Sequence, residues 1–597
     1  AFHEAWNAAD EIVAHNAQFD RIMLKVEGFD TDITRWRCTM AQAMSNSLPG
    51  SLDKLGAIMK VPTALQKHQG GKNLINLFCI PRKREDGTIY FFDGLTHPAE
   101  WADFLRYAGN DVEACRVLRK KLPRHNYNSV ELATWHLDQK INDRGISVDV
   151  DLSRAAICAA DAEQKRLRAQ TSNQSAGMLD STTQRKEFLE HCLGMYGVQL
   201  PDLQAGTLER RLDDPEIPEP VKELLRIRLM ASKTTASKYK TLVNAVCNDG
   251  RLHGLLQCFG ALRTLRWAGR LFQPQNLMRT PKHLAKQMQF VIDCILDGVI
   301  DLFFENVMEA LGAATRGALC AAPGKKLVVA DLSNIEGRML AWLAGEQWKI
   351  RAFGEFDEGT GHDLYVLAYA AAFGVHPERV LEDEAAGGKM RLVGKVQELA
   401  LGYQGAYGAF VSMGQAYGIT VYDTPEPPVF ARGVCISKKE VLGIVSAWRR
   451  ANAAIVSFWG DVQEAAITAI QSPGVTVPCG RLQFRRDGPW LRVRLPSGRF
   501  LCYPHPEYGQ QRVRCPKCGG DGRELLRTNL LDDGTLSPVF ILCSQCEGYK
   551  TVLDIVISYM GVDQYTRQWK RLHTYGGKLA ENITLPGCST MRELPRA

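Results

Sequence analysis

Lys326-Leu-Val-Val-Ala-Asp331-Leu-Ser-Asn-Ile-Glu336-Gly-Arg338 is the stretch on which the fold turns. The apolar run 327–330 predicts a strand, and Asp331 stands at its tip. A carboxylate there is desolvated unless it meets a cation. Phosphoryl transfer with two metals needs a carboxylate on such a rigid support. Taken alone, Asp331 reads first as the cap of the next helix. Sixty residues on comes Arg391-Leu-Val-Gly-Lys395-Val-Gln-Glu-Leu399-Ala-Leu-Gly402-Tyr403-Gln-Gly405. Arg391, Lys395, Leu399 and Tyr403 recur every four residues and form one stripe on a helix. Two cations a turn apart suit triphosphate oxygens, and the apolar and aromatic residues beyond them suit sugar and base. The plain alternative is a helix with two solvated cations and a core tyrosine.

Together these residues resemble the family A (polymerase I-type) DNA polymerases, the phage-encoded members in particular. Asp331 to Arg338 is similar to the family's first catalytic motif, Asp-Tyr-Ser-Gln-Ile-Glu-Leu-Arg. Arg391 to Gly405 is similar to the fingers helix, Arg-x3-Lys-x3-aromatic-x3-Tyr-Gly. Thr264-Leu-Arg266-Trp-Ala-Gly-Arg270 through Gln273-Pro-Gln275-Asn276-Leu277 looks like the template-binding element Thr-Gly-Arg…Asn-Leu-Gln-Asn. The likeness continues through Leu495-Pro-Ser-Gly-Arg499 and Tyr575-Gly-Gly-Lys578-Leu-Ala-Glu-Asn582-Ile-Thr584, in the family's order over residues 130–584.

The resemblance implies an α+β right hand: thumb 126–250, palm 251–345, fingers 346–489 and second palm segment 490–597. It implies template-directed DNA synthesis on primer–template DNA from deoxynucleoside triphosphates, by a monomer in the host cytoplasm if phage-encoded. Asp331 would hold two Mg²⁺ ions, with the Leu332 carbonyl on one of them. Arg391 and Lys395 would hold the triphosphate, with Leu399 and Gly402 on the same nucleotide-binding face. Tyr403 would stack near the nascent pair, and Glu336 would fill the space of a ribose 2′-hydroxyl. Arg266, Gln275 and Asn276 would contact primer–template. Three departures stand out. Leu399 occupies a position often aromatic in the family, and Leu265 replaces a glycine. The family's final His-Asp-Glu motif is expected after Thr584, where this sequence reads Leu585-Pro-Gly-Cys-Ser-Thr-Met-Arg and on to Ala597. The expectation is therefore a chain cut short at both ends, the first residue being Ala rather than Met. Its rivals are a single-subunit RNA polymerase, a non-catalytic DNA-binding fragment and a nuclease alone.

Residues 1–125 alternate short apolar runs with helical patterns, as in an α/β domain. Residues 11–14 predict a strand entering a helix, and 82–93 a hairpin turning at Asp86-Gly87. Ala14-His-Asn16-Ala-Gln-Phe19-Asp20 and Tyr107-Ala-Gly-Asn-Asp111 resemble motifs of RNase H-like proofreading 3′–5′ exonucleases. Asp20 and Asp111 would be two of that family's four metal-binding carboxylates, with Tyr107 near the attacking water and Asn16 beside them. The opening Asp-x-Glu strand would precede Ala1, so a partial domain is expected.

Cys515-Pro-Lys-Cys518 and Cys543-Ser-Gln-Cys546 are separated by 24 residues. Two such knuckles bring four thiolates within tetrahedral reach of one Zn²⁺, so 513–548 reads as a structural zinc ribbon inserted in the palm. The other cysteines of the 17 stand mostly alone, as Cys38, Cys79 and Cys158 do, and read as small buried hydrophobes. Their odd number fits a reducing compartment.

The charge is +7 with pI near 8.6, which permits a nucleic-acid partner without requiring one. Lys222, Arg226, Arg228, Lys233, Lys238 and Lys240 read as a solvated helical face or a phosphate-tracking surface. No run reaches the roughly 18 apolar residues of a membrane span. That from Gln289 to Phe304 is interrupted by Asp293, Asp297 and Asp301, and predicts one core-facing amphipathic helix. Helices are expected over 127–250 and 346–470, strands and turns over 475–510, and a helical start to 552–584.

Overall fold

One apolar core runs almost the length of the chain: Trp36 near its start, Val396, Trp448 and Trp459 in its middle, Phe484 and Ile583 near its end. The computed structural model describes residues 2–65, 70–212, 214–231, 235–423, 434–515, 523–530, 536–543, 547, 549 and 551–587. The N-terminal part opens with the helix Phe2–Ala8, followed by the parallel strands Ile12–Ala14 and Trp36–Cys38, Ile12 opposite Trp36. The first strand leads through Asn16, in the left-handed region at φ 63°, into a second helix, Ala17–Val26, which comes between the strands in sequence. Arg82–Lys83 and Ile89–Tyr90 form the expected hairpin, with Gly87 at φ 86° in its turn. The long helix Pro98–Lys121 closes this part.

Helices then dominate, from Ser129–Arg144 to Thr235–Ala245, as expected. Asn128 caps the first by accepting from the Glu131 amide, and Asp149 caps Val150–Gln174 through the Leu152 amide. A second core, built on Leu152, Tyr239, Phe272 and Leu311, packs the latter helix against residues from Ile227 to Ala318. The basic run is largely spoken for: Arg226 pairs with Glu219 and Glu223, Lys240 with Asp161, and Lys238 donates to the Phe272 carbonyl. Lys233 lies outside the described residues.

The structure corrects four expectations. Residues 327–330 belong to no sheet; Val328 and Val329 are 84% and 88% exposed. Their apolar run has no pairing strand among the described residues, and a strand without a partner gains no ladder. The single helix over 289–304 is two, Met288–Leu296 and Ile300–Phe303, because Gly298 at φ 72° ends the first. Val291, Ile295 and Ile300 do face the core, but Phe290, Leu302 and Phe303 are exposed. Residues 551–562 are a strand, Thr551–Val562, central between Glu507–Arg514 and Trp569–Thr574, and the helix comes later, Gly576–Gly587. The β-branched Thr551, Val552, Ile555, Val556 and Ile557 explain the strand. Cys79 and Cys158 are exposed, unlike the buried Cys38.

From Ile335–Ala344 to Ala453–Gln471 the chain is helical apart from the parallel pair Ile419–Tyr422 and Val434–Ser437. A four-stranded antiparallel meander comes next: Thr476–Cys479, Leu482–Asp487, Trp490–Arg494 and Phe500–Pro504. In its second strand Leu482 and Phe484 are buried while their neighbours Gln483 and Arg485 face out. No helix among the described residues is long and apolar enough to cross a membrane.

Candidate active site

Asp331 ends the exposed extended segment and is itself exposed. The chain then turns through Asn334, left-handed at φ 50°, into the helix Ile335–Ala344. Arg338 steadies this turn. Its two terminal nitrogens donate to both oxygens of Asp357, each at 2.7 Å, and its Nε to the Ser333 carbonyl at 3.0 Å. The guanidinium also lies 4.5 Å from the Phe353 ring and holds the Asp357 carboxyl below its ordinary range. Glu336, in the first turn, has Oε1 3.7 Å from Nη1 of Arg266.

Arg266 opens a strand, Arg266–Gly269, paired with Leu256–Ala261. The residue before it, Leu265, sits at φ 55°, where glycine is at ease and a leucine is strained. Its side chain is nonetheless buried in the main core, which offsets the strain. Trp267 donates to Asp138 at 2.7 Å, and burial raises the Asp138 carboxyl to about 6. Gln275 seats its amide against Gly269 so closely that any side chain there would collide with it. Asn276 is next, donating to Gln273, and both Gln275 and Asn276 are exposed.

The helix Met390–Leu401 presents the predicted stripe. Arg391, Lys395, Leu399 and Tyr403 are half-buried, whereas Val393, Gly394, Val396, Gln397, Ala400 and Leu401 are buried. Gly394 sits so close to the Tyr365 carbonyl that a Cβ would collide with it, which fixes how the helix lies on Leu364–Phe373. Arg391 is held by Asp363, its Nε donating at 2.7 Å, with Glu384 at 3.6 Å from Nη1. Asp363 meanwhile caps its own helix through the Tyr365 and Val366 amides. The Lys395 ammonium lies 5.8 Å from the Tyr365 ring centre and 5.4 Å from that of Tyr417. Arg279, three residues past Asn276, lies 5.5 Å from the same Tyr417 ring. Leu340 packs against Gly402 at the end of the stripe helix, and Trp459 donates to the Gly402 carbonyl at 3.0 Å. Contacts thus connect all three sequence elements: Arg266 to Glu336, Leu340 to Gly402, and Lys395 through Tyr417 to Arg279. Asp363, Tyr365, Tyr417 and Arg279 escaped the sequence reading. Only Asp363 carried a local signal, as an acid directly before an apolar helical run.

A second site lies near the N-terminus. A cleft of about 1420 Å³ is lined by Asn16, Asp20, Tyr107 and Asp111, the four residues expected there, together with Cys115 and Arg119. Tyr107 and Asp111 are one turn apart on Pro98–Lys121. Burial, then the Asp111 carboxylate, to which the hydroxyl is hydrogen-bonded, push the Tyr107 hydroxyl up to about 12. Burial also raises Asp20. Gly71 leaves room for the Tyr107 ring, since a Cβ there would come within 2.6 Å of it.

No protein-family model matches the chain. The DNA polymerase of Bacillus phage SP02 is 33% identical to it over 580 residues, 96% of this chain and 78% of that protein. The chain belongs to the DNA polymerase family. The polymerase domain of Pol1 from M. smegmatis, solved in complex with DNA primer–template and dNTP, shares the fold at TM-score 0.51 and 15% identity. That match covers 77% of this chain and 66% of the mycobacterial one, just under two thirds.

In this DNA polymerase the segment between Cys515 and Cys543 contributes a hairpin, Arg523–Leu530 with Leu536–Leu542. Cys515 and Cys543 flank it, both buried, with sulfurs 3.6 Å apart. Cys518 and Cys546 lie outside the described residues. Among the described residues no group of three or more His, Cys, Asp or Glu side chains is arranged to hold a metal.

Proposed function

We propose that the chain adds deoxynucleotides to a primer 3′-hydroxyl, as a family A polymerase with palm, fingers and thumb, using Asp331, Glu336, the Arg391 stripe and the Arg266–Asn276 region. The observation that carries this reading is the chain of contacts joining those three elements. The partners are those with which the mycobacterial domain was solved, primer–template DNA and a deoxynucleoside triphosphate. Arg391 and Lys395 neutralise charge on the triphosphate as pyrophosphate leaves. Arg391 already faces Asp363 and Glu384, so it accepts phosphate by exchanging one anion for another. Lys395 rests on two tyrosine faces and needs no such exchange. Tyr403 and Leu399 border the nascent pair, whereas Gly402, expected on the same face, is buried against Leu340; Gln275 and Asn276 meet the template. Glu336 occupies the space of a 2′-hydroxyl, which separates this reading from an RNA polymerase. Asp331 and the Leu332 carbonyl offer hard oxygens that, with substrate phosphates, suit Mg²⁺. Bound there, Mg²⁺ supplies Lewis-acid stabilisation of the phosphoryl oxygens.

Asp331→Asn tests this. Single-nucleotide primer extension should fall by about a thousandfold while primer–template affinity stays within about twofold. Extension at the parent rate, or a parent that extends no primer, refutes it.

Two finer assignments accompany it. The N-terminal cleft is a 3′–5′ exonuclease site in which Asp20 and Asp111 are metal carboxylates and Tyr107 positions water. The insertion is a zinc ribbon held by Cys515, Cys518, Cys543 and Cys546. Two thiolates on a tetrahedral Zn²⁺ with bonds of about 2.3 Å stand about 3.8 Å apart, close to the 3.6 Å between Cys515 and Cys543. The polymerase acts as a monomer in the host cytoplasm.

A further inference from the structure

The helix Gln347–Asp357 buries a lysine. Lys349 is 2% exposed, and its ammonium donates at 2.6 Å to Glu398, whose side chain is 8% exposed. The other Glu398 oxygen accepts from the Trp448 indole, also at 2.6 Å. The ammonium lies 4.9 Å from the Trp448 ring, so carboxylate, cation and indole form one closed cluster. Trp448 stacks on Trp459 with ring centres 6.1 Å apart and planes 6° from parallel. Trp459 in turn donates to the Gly402 carbonyl.

Glu398 belongs to the stripe helix. It stands three residues after Lys395 and one before Leu399. At about 100° per residue it projects about 60° from Lys395 around the helix axis. It is therefore on the flank of the nucleotide face and points away from it, into Lys349 and Trp448. Two desolvated charges are seldom the most stable filling for a protein interior; an apolar pair of similar volume does as well or better. What an ion pair with a hydrogen-bonded indole adds is direction, because each oxygen has one partner at one angle.

We infer that Lys349, Glu398 and Trp448 form a positioning cluster that sets the rotation of Met390–Leu401 about its axis, and so aims Lys395 and Tyr403 at the incoming nucleotide. The cluster touches neither substrate nor metal. It rests on the polymerase reading above for its effect on nucleotide, but its effect on the helix does not. Rotation of this helix by even one side chain's width would carry Lys395 away from Tyr365 and Tyr417, and misplacement near 1 Å can reduce turnover by about a hundredfold.

The test uses the full chain with Lys349→Met and Glu398→Leu together, which leaves no unpaired buried charge. The single Glu398→Leu variant, stranding Lys349, serves as the destabilised control. For the double variant we expect a melting temperature near that of the parent, primer–template affinity within about twofold, and kcat/KM for the incoming nucleotide lowered about tenfold or more. Amide hydrogen exchange over residues 390–402 should quicken in the double variant while exchange over 453–471 stays unchanged. A double variant with parental exchange over 390–402 overturns the positioning role. So does one with faster exchange there but parental kcat/KM. Should the parent itself add no nucleotide, the polymerase reading fails, and exchange alone still decides whether the cluster orders the helix.

Discussion

Arg499→Met should loosen the joint between the helix Ser129–Arg144 and the meander of residues 476–504. Arg499 comes after the meander's third turn and reaches Glu131 with Nε at 2.5 Å and Nη2 at 2.8 Å. The two side chains are 7% and 5% exposed. At that burial salt screens little, and the pair is not to be discounted as a surface bridge. Methionine replaces much of the arginine stem but leaves a carboxylate without its cation. Removing one partner of a buried pair costs about 3–5 kcal/mol. Glu131 lies in the first turn of its helix, where the amide dipoles favour negative charge by up to about 1–2 kcal/mol, so the lower end applies, about 3 kcal/mol. Adding Glu131→Leu removes the stranded charge and should recover most of the loss. The assay is urea unfolding followed by tryptophan fluorescence. With several separate cores, the loss should appear as an earlier first transition rather than a shift of the whole curve. The reasoning is refuted if the single variant unfolds with the parent, or if the double variant is as weak as the single one.

Asp20→Ala and Asp111→Ala should each lower digestion of single-stranded 3′ ends by at least about a hundredfold without changing primer extension; equal digestion by variants and parent would sink the exonuclease assignment. Purified chain should carry one zinc by atomic absorption, lost in Cys515→Ser, and a metal-free parent would be the contrary result. Asp138 should leave a pH signature. Its folded carboxyl titrates at about 6 against 3.8 when unfolded, so the folded state holds the extra proton between those values. Its contribution is favourable below about pH 4 and is lost as pH rises through 6. The parent should therefore show a negative stability slope over that window that Asp138→Asn lacks, and identical slopes would refute it.

Local order was legible where sequence period and motif agreed. The four-residue spacing from Arg391 to Tyr403 gave both the helix and its open face. The Asp86-Gly87 pair gave its hairpin. The reading failed where a neighbour decides. Leu327 to Ala330 has strand composition, but an extended segment becomes a strand only when another pairs with it. Gly298 ended a helix that apolar spacing alone would have continued. Residues 551–562 carry enough β-branched side chains to have signalled a strand, and the helical periodicity misled. Tyr417, Arg279 and Lys349 meet the site only through tertiary packing, which no spacing encodes.

The adjacent glycines at 576 and 577 have a mechanical consequence. Gly576 abuts the Trp459 carbonyl and donates to Gln463; Gly577 abuts the Tyr403 carbonyl and donates to Gln404. Side chains at either place would push the last helix off both neighbours. With that gap closed, the start of Gly576–Gly587 is packed backbone to backbone against the chain just past the stripe helix. The stripe helix is thus pinned at both ends, by Asp363 and Glu384 on Arg391 at one and by the two glycines at the other.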